Sequence, residues 1–551
     1  MDLFVSAYCT CLLLKPHLQS HHFSDNVDMN VVLQPLLPVD VLIEVAGQCD
    51  SDYDIVQLMN TCRIVNERAS LFLHKGRQAH VRSIDDLRLL TAFLGAQDQE
   101  RWRRLSQLSV EICTEDSIDR REQVQALLGL FRALQSAPAL RVLEFDEVEL
   151  YLALDPALAT ALTHITSITT LKLTGIGPDT LRFLEGVSWG VHTAQLDLSP
   201  DFLAAKDPHA PLPKMMFHFL RNMSGTLREL DLGGSRNGMF SAASDLRFSA
   251  LQSLNLSFAV NEEFNNFFLE AKNVMSMFPK LSSLEMHAYH TMRPYLDPEE
   301  VNDLPDNQDP EEVITATAAW QNDERGWKNM ALLDAPLVTI FGLGLQRPVD
   351  EIRTAFEPPD VGLEMLPLVL ELLNPRSLAL HIYSFDTLLS LAFPFAFHPG
   401  QFTPGYVSRL TKLDLTVLED TLKRDPPQYE LMSLLDTLGW IVNNVRLEEM
   451  RLMVRRASKP TRLQVWTRPR MRPSKSPGYA EVVTTRMHQL LRAAPSPTLE
   501  VMLAVRCGEE GDEDDELGHT FYGFKPLTGA VTVGVQRWND VSDEQLIAQG
   551  L

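Results

Sequence analysis

Cysteine, long apolar runs and positive charge are all scarce in this chain. Its 551 residues include six cysteines, which are scattered and form no C-x-x-C pair. A disulfide framework is therefore not expected, and a reducing compartment fits the sequence best. No uninterrupted apolar stretch reaches the roughly 18 residues that a bilayer-spanning helix needs, so no membrane segment is predicted.

Basic residues are outnumbered by acidic ones. Lys and Arg total 49 against 73 Asp and Glu, a formal net charge of −24 at pH 7. This charge argues against a protein that wraps nucleic acid or lies on an anionic membrane. Residues 1–30 carry Asp2 where a secretory signal would carry Lys or Arg, and their apolar patch is short and broken. We interpret them as a flexible N-terminal segment without a cleaved signal, and expect a cytoplasmic or nuclear protein.

What the sequence does contain is ordinary for a folded protein. Apolar residues make up 45% of the chain and charged residues 22%. This composition supplies enough apolar side chains for a sizeable core. The length allows either several domains of usual size or one elongated repeat domain.

Apolar residues at helical spacing predict three short helices within residues 31–76. Pro38 suits the first turn of a helix, where its missing N–H is not needed. The spacing i, i+3, i+4, i+7 occurs first at Leu42, Val45, Ala46 and Cys49 and again at Ile55, Leu58, Met59 and Cys62. A third segment carries Val65, Ala69 and Phe72. Three helices of this size bury little on their own, so such a unit needs a neighbour.

This segment resembles an F-box. The resemblance rests on Leu37-Pro38, the apolar run Leu42–Val45, Ile55 with Leu58, and the pair Cys62-Arg63. It implies docking on the Skp-type adaptor of a cullin–RING ubiquitin ligase, and through it on a cullin, by burial of an apolar helical face. The implied contact or supporting positions are Pro38, Leu42, Ile43, Val45, Ile55 and Leu58. The alternative is a plain three-helix cap over the next domain.

Beyond residue 100 one short pattern recurs: an aliphatic residue, two variable residues, an aliphatic, one residue and a final aliphatic. It occurs at 105–110, 140–145, 168–173, 227–232, 251–256, 281–286, 410–415 and 447–452, with looser copies at 193–198 and 499–504. The closing aliphatic–x–aliphatic is typical of a short strand with one buried face. Helix-like segments lie between the copies, so strands alternate with helices, which predicts an α/β fold with a parallel sheet.

The recurrence resembles irregular leucine-rich repeats, as in F-box proteins of fungi and other organisms. The resemblance implies a solenoid with parallel strands and outer helices over residues 77–507, followed by an acidic loop and C-terminal tail at 508–551. The alternative is an ordinary α/β domain with leucine-rich strands. If the solenoid holds a target protein, residues that alternate with the buried aliphatics should face that target. These candidates are Lys172, Glu229, Asp231, Asn255, Glu285, Lys412, Asp414, Glu449 and Arg451.

Two charged loops interrupt the repeats. Residues 296–312 carry eight acids and no base, and residues 451–475, which overlap a predicted basic loop at 455–478, carry nine bases and no acid. The basic segment could contact nucleic acid or an acidic partner, or could act as a nuclear address. We favour a solvated insertion, so a nucleic-acid partner is not expected.

Residue patterns typical of catalysis are not found. His287 and His290 are spaced i, i+3 but have no third ligand nearby in the sequence, so no metal site, cofactor or enzymatic activity is expected. The leading hypothesis is a substrate-recognition subunit of a Skp-cullin-F-box ubiquitin ligase, which would bind an unknown protein target. The alternative is a leucine-rich-repeat scaffold with no ubiquitin role.

Overall fold

The structure is a computed structural model. It describes residues 38–49, 52–60, 63–69, 78–95, 102, 105–112, 120–135, 137–199, 217–235, 240, 246–258, 271–288, 327–356, 366–382, 409–419, 441, 445, 447–456, 500–507, 518–524 and 531–536. The chain divides into two compact units, Met1–Val191 and His192–Leu551.

The first described elements of the first unit are the three predicted helices, α1 (Val39–Gln48), α2 (Asp52–Met59) and α3 (Arg63–Ala69). Pro38 precedes α1, and its carbonyl accepts hydrogen bonds from the backbone N–H of Val41 and Leu42. The apolar stripes of the three helices meet in a shared core, as their spacing predicts.

Strands and helices alternate through the rest of the first unit. The elements are β1 (Gln78–Val81), α4 (Ile84–Gly95), β2 (Gln107–Val110), α5 (Arg120–Leu134), β3 (Val142–Phe145), α6 (Val148–Leu152), α7 (Pro156–Thr163), β4 (Thr170–Ile176) and α8 (Pro178–Gly186). The four strands pair in parallel in chain order. Phe131 of α5 packs against Phe145 of β3 with ring centroids 5.9 Å apart, so helix and strand share one core.

The second unit has more strands, and described helices lie between some of them. Its described elements are β5 (Thr193–Leu198), a 3₁₀ helix (His218–Met223), β6 (Glu229–Ser235), β7 (Ser253–Phe258), α9 (Ala271–Met277), β8 (Ser283–Ala288), β9 (Leu332–Asp334), α10 (Leu337–Gly342), β10 (Glu351–Phe356), α11 (Leu366–Leu373), β11 (Ser377–Ile382), β12 (Lys412–Glu419), β13 (Glu449–Arg456), β14 (Glu500–Cys507), β15 (Gly518–Phe524) and β16 (Val531–Gln536). Strands β5 to β14 pair in parallel in chain order, and β15 and β16 continue the sheet as antiparallel strands.

Aromatic residues fill the core beside β6–β8. Phe217 stacks on Phe240 at 5.0 Å and meets Phe278 edge-on at 6.1 Å. The indole N–H of Trp327 donates to the carbonyl of Phe278 at 2.8 Å, so the buried ring keeps its polar atom satisfied. These side chains fix the position of the strands that carry the polar face described below.

The predicted α/β class with parallel strands is confirmed. The final segment, 508–551, was predicted as a loop and tail, and the structure has β15 and β16 there. In each unit every described parallel strand pairs with the strand next in the chain, an order that is compatible with a solenoid.

Candidate functional site

The three N-terminal helices bury half of the predicted adaptor-binding positions in their own core. Leu42, Ile55 and Leu58 are 4%, 1% and 6% exposed and belong to one cluster with residues from all three helices. Val45 is half-buried and packs against this cluster, Ile43 is half-buried, and Pro38 is exposed. Leu42, Ile55 and Leu58 therefore support the helices, which leaves Pro38 as the most accessible of the six.

Each of the three helices also exposes one large aliphatic side chain that the sequence analysis did not single out. Val41 is 43% exposed, Val56 40% and Ile64 51%. They lie outside the apolar stripes that predict the helices, so helical spacing does not identify them. Downstream of the three helices, Phe93 of α4 packs against their core as a partly buried residue. The three N-terminal helices thus have a core of their own and also a contact with α4, the next helix in the chain.

The predicted target-facing residues lie on the face of the strands opposite the buried aliphatics. Asp231, for example, lies between Leu230 and Leu232, which are 2% and 1% exposed. The pairing register places eight of the nine candidates in two rows across β5–β13, which we call the first row and the middle row. The first row contains Thr193, Glu229, Ser253, Ser283, Leu332, Glu351, Ser377, Lys412 and Glu449, and the middle row contains Gln195, Asp231, Asn255, Glu285, Asp334, Arg353, Ala379, Asp414 and Arg451.

Lys172, the remaining candidate, lies in the first unit. It is paired in register with Glu144 of β3, which is followed in the same line by Ser109 and His80. The amide of Gln78 donates to the carboxylate of Glu144. Lys172 therefore lies in a polar line on strands of the first unit, and the other eight candidates lie in the second unit.

Carboxylates concentrate on the part of the middle row between β6 and β9. Asp231, Glu285 and Asp334 lie there, with Asn255 in register between Asp231 and Glu285. His287, two residues after Glu285 on β8, has its Nε2 3.7 Å from Glu285 Oε2, the distance of an ion pair and too long for a hydrogen bond. Ligand atoms of Glu285, His287 and Asp334 all lie within 4.8 Å of one another, so these three residues could hold a metal ion.

The pKa values of this group shift in directions that follow from burial and pairing. Burial raises the pKa of Asp231 and of Asp334. The interaction with His287 lowers the pKa of Glu285, and the same interaction raises the pKa of His287. Burial opposes ionisation of Arg353, but its hydrogen bond to Glu351 raises its pKa on balance. The acids and bases of this surface are therefore electrostatically linked.

On β12 and β13, acidic and basic residues of the polar face lie close together. Glu449 accepts from Nε of Arg451 at 2.6 Å and lies 3.8 Å from Nζ of Lys412. Burial raises the pKa of Asp414 although Arg451 and Lys412 act to lower it. An open depression of about 610 Å³ adjoins the starts of β9–β13 and includes Lys412 and Glu449 in its wall.

Sequence analysis missed Asp334, Arg353 and the metal-compatible position of His287. The sequences at β9 and β10 depart from the repeat pattern at its final aliphatic position, which is occupied by Ala335 directly after β9 and by Thr354 in β10. Asp334 is far from His287 in sequence, and only strand pairing brings the two together. The acidic loop 296–312, His290 and Cys62 lie outside the described residues, as does most of the basic loop 455–478.

Comparison with family models and with curated proteins gives no relative for this chain. It matches no family model, and no curated protein is detectably similar to it. Among the helices of the described residues, none combines the length and apolar character that crossing a membrane requires.

Proposed function

We propose that this chain is a substrate-recognition subunit of a Skp-cullin-F-box type ubiquitin ligase. In this proposal residues 31–76 are an F-box-like unit, and the strands and helices that follow are a leucine-rich-repeat-like solenoid. The observation that supports it most is the construction of α1–α3. These helices have a common core of their own, yet each leaves a large aliphatic side chain in solvent, at Val41, Val56 and Ile64. Apolar side chains exposed on a small helical unit suit helix-against-helix docking.

The polar face of the strands supplies the second half of the proposal. Its two rows offer acids, bases and amides on a regular backbone, which suits recognition of a folded or extended protein segment. The target would be held near the ubiquitin-carrying partner of the ligase, and the gain in rate would come from proximity. No catalytic residue of this chain is needed for that role.

One observation favours the alternative, a leucine-rich-repeat scaffold without a ubiquitin role. Phe93 of α4 packs against the core of the three helices. This is the contact expected if the helices serve as a cap over the next domain. The two functions differ in what the exposed aliphatics do: a cap has no use for them, whereas an adaptor would cover them.

Binding to a purified Skp-type adaptor tests the proposal. We expect the full chain to bind, and a variant with Val41→Asp, Val56→Asp and Ile64→Asp to bind at least about tenfold more weakly, because three charges would enter an apolar interface. Leu89→Asp is the matched control, since Leu89 lies on α4 and is 68% exposed. Leu42→Ala is unsuitable for this test because it removes a core side chain and would weaken folding.

Absence of adaptor binding by the wild-type chain would reject the receptor function. Undiminished binding by the triple variant would reject the assignment of the docking surface to Val41, Val56 and Ile64. Thermal melting of all variants checks that lost binding is not lost folding. Adaptor binding by both the wild type and the triple variant would point to a contact elsewhere on the chain.

A further inference from the structure

Three potential metal ligands converge on the polar face of β8 and β9. Glu285 and His287 are two residues apart on β8, so their side chains project from the same face of the strand. Asp334 on β9 is paired in register with Glu285. One carboxylate oxygen from each acid and one imidazole nitrogen lie within 4.8 Å of one another. Donor atoms on a single ion are about 3–4 Å apart, so small side-chain rotations would bring these three into a coordination sphere.

The neighbouring side chain of Asn255 has an amide oxygen that accepts no hydrogen bond within the described part of the chain. Oδ1 of Asn255 is inaccessible to solvent and has no hydrogen-bond partner among the described residues. Asn255 lies in register between Asp231 and Glu285, so this amide oxygen belongs to the same line of acceptors. A buried acceptor without a donor is costly, and a cation or its bound water would satisfy it.

The local charge balance also favours a cation. Three carboxylates, those of Asp231, Glu285 and Asp334, lie in the middle row between β6 and β9. Arg353 is the nearest cation in the middle row, but its Nε donates to Glu351 at 2.8 Å, so much of its charge is already engaged. The ligand group thus has more negative charge than its described surroundings neutralise.

We propose that Glu285, His287 and Asp334 form a binding site for a divalent transition-metal ion of the Zn²⁺ class. The imidazole selects against Mg²⁺ and Ca²⁺, which prefer all-oxygen ligands, and suits Zn²⁺ with carboxylates completing the protein ligands. The side chain of His287 is 47% exposed, so an ion there would keep a coordination position open to solvent on the polar face. A carboxylate or imidazole of a bound protein could fill that position. The inference does not depend on the ubiquitin role.

Calorimetric titration of the chelator-treated full-length chain with ZnCl₂ tests the site. We expect one saturable site, and a dissociation constant at least about tenfold higher for His287→Ala and for Asp334→Asn, since each removes one of three protein ligands. His80→Ala is the control, because His80 is also an exposed histidine on a strand but lies in the first unit. It should bind Zn²⁺ like the wild type.

Substitution with Co²⁺ gives an independent readout. Co²⁺ held in a tetrahedral site by one nitrogen and two carboxylates should absorb visible light more strongly than the aqua ion, and this enhancement should be lost in His287→Ala and kept in His80→Ala. The proposal is overturned if the wild type shows no saturable Zn²⁺ binding, or if His287→Ala, Glu285→Gln and Asp334→Asn all bind as the wild type does. Thermal melting of the metal-free variants identifies any that fail to fold, and the folded ones decide the question.

Discussion

Several charged side chains on the polar face of the strands are partly buried, and Asp414 is the clearest case. It is paired in register with Arg451, and Lys412 lies two residues before it on the same strand. Burial nevertheless outweighs the two bases and raises the pKa of its carboxyl. The ionised carboxylate is therefore less favourable in the folded chain than in the unfolded chain, where its pKa is near 3.8.

We expect Asp414→Asn to raise the melting temperature at neutral pH. Between the unfolded pKa and the raised folded pKa the native state binds more protons than the unfolded state, so stability decreases as pH rises through this range. The advantage of Asn should therefore shrink as the pH is lowered towards about 4. Thermal melts across this range measure it, with Asp40→Asn, whose side chain is 90% exposed, as the control. A lower melting temperature for Asp414→Asn at neutral pH would show that the bases outweigh burial.

At the scale of elements, one helix is capped by a side chain from another. Helix α8 begins after Gly177, which has no side chain to cap it. Glu149 of α6 supplies the cap: its carboxylate accepts from the backbone N–H of Asp179 and Thr180 at 3.0 and 2.9 Å, and from the Thr180 hydroxyl. A Cβ at position 177 would lie 2.6 Å from the carboxyl carbon of Glu149, so glycine provides the room for this contact.

Glu149→Ala should lower the free energy of unfolding by about 1–2 kcal/mol, because it leaves two helix N–H groups and a buried hydroxyl without their acceptor. Glu149→Gln should retain part of this stability, since its amide oxygen can still accept. Urea unfolding measures both. The control is Glu122→Ala, which removes an exposed ion pair with Arg88 and should cost less than about 1 kcal/mol. Equal losses for the two alanine variants would contradict a capping role.

At the scale of the whole molecule, parallel strands follow one another in chain order within each of the two units. Each strand contacts its immediate neighbours, so the stability of a unit is approximately a sum of local terms. A destabilising substitution in one strand is then expected to increase local unfolding of the adjacent strands more than of the rest of the chain.

Leu284→Ala provides the test, because Leu284 of β8 is fully buried. We expect a loss of about 2–4 kcal/mol, as for other buried leucines. Hydrogen exchange should accelerate in β7, β8 and β9 and stay near wild-type values in β2–β4 of the first unit. Equal acceleration in both units would show instead that the chain unfolds as one cooperative body.

Much of the strand framework could be predicted from the sequence, and the exceptions have a physical reason. Every full copy of the leucine pattern coincides with a strand, as at 227–232 and 281–286. The pattern did not predict β9, β10 and β11, because Ala335, Thr354 and Pro375 stand at positions where it requires larger aliphatic residues. Ala335 and Thr354 are buried, so small or polar side chains occupy core positions at these strands, and a pattern defined by large aliphatic residues does not detect them.

The candidate site was predictable only in part. Alternation with buried aliphatics identified Asp231, Asn255 and Glu285, because strand periodicity is a local property. It could not bring Asp334 next to His287, since that depends on which strands pair. It also could not tell which predicted adaptor-binding positions support the helices: Leu42 belongs to their shared core, whereas Pro38 is exposed.

The in-register pairing of β8 with β9 has an evolutionary consequence. Residues 289–331 separate the two strands in the chain, yet Ser283 and Leu332 still pair directly. Insertions or deletions between strands can therefore accumulate without disturbing the alignment of side chains across the face. A lineage of such proteins can then change its binding preference one strand at a time, while the backbone that presents those side chains is inherited intact.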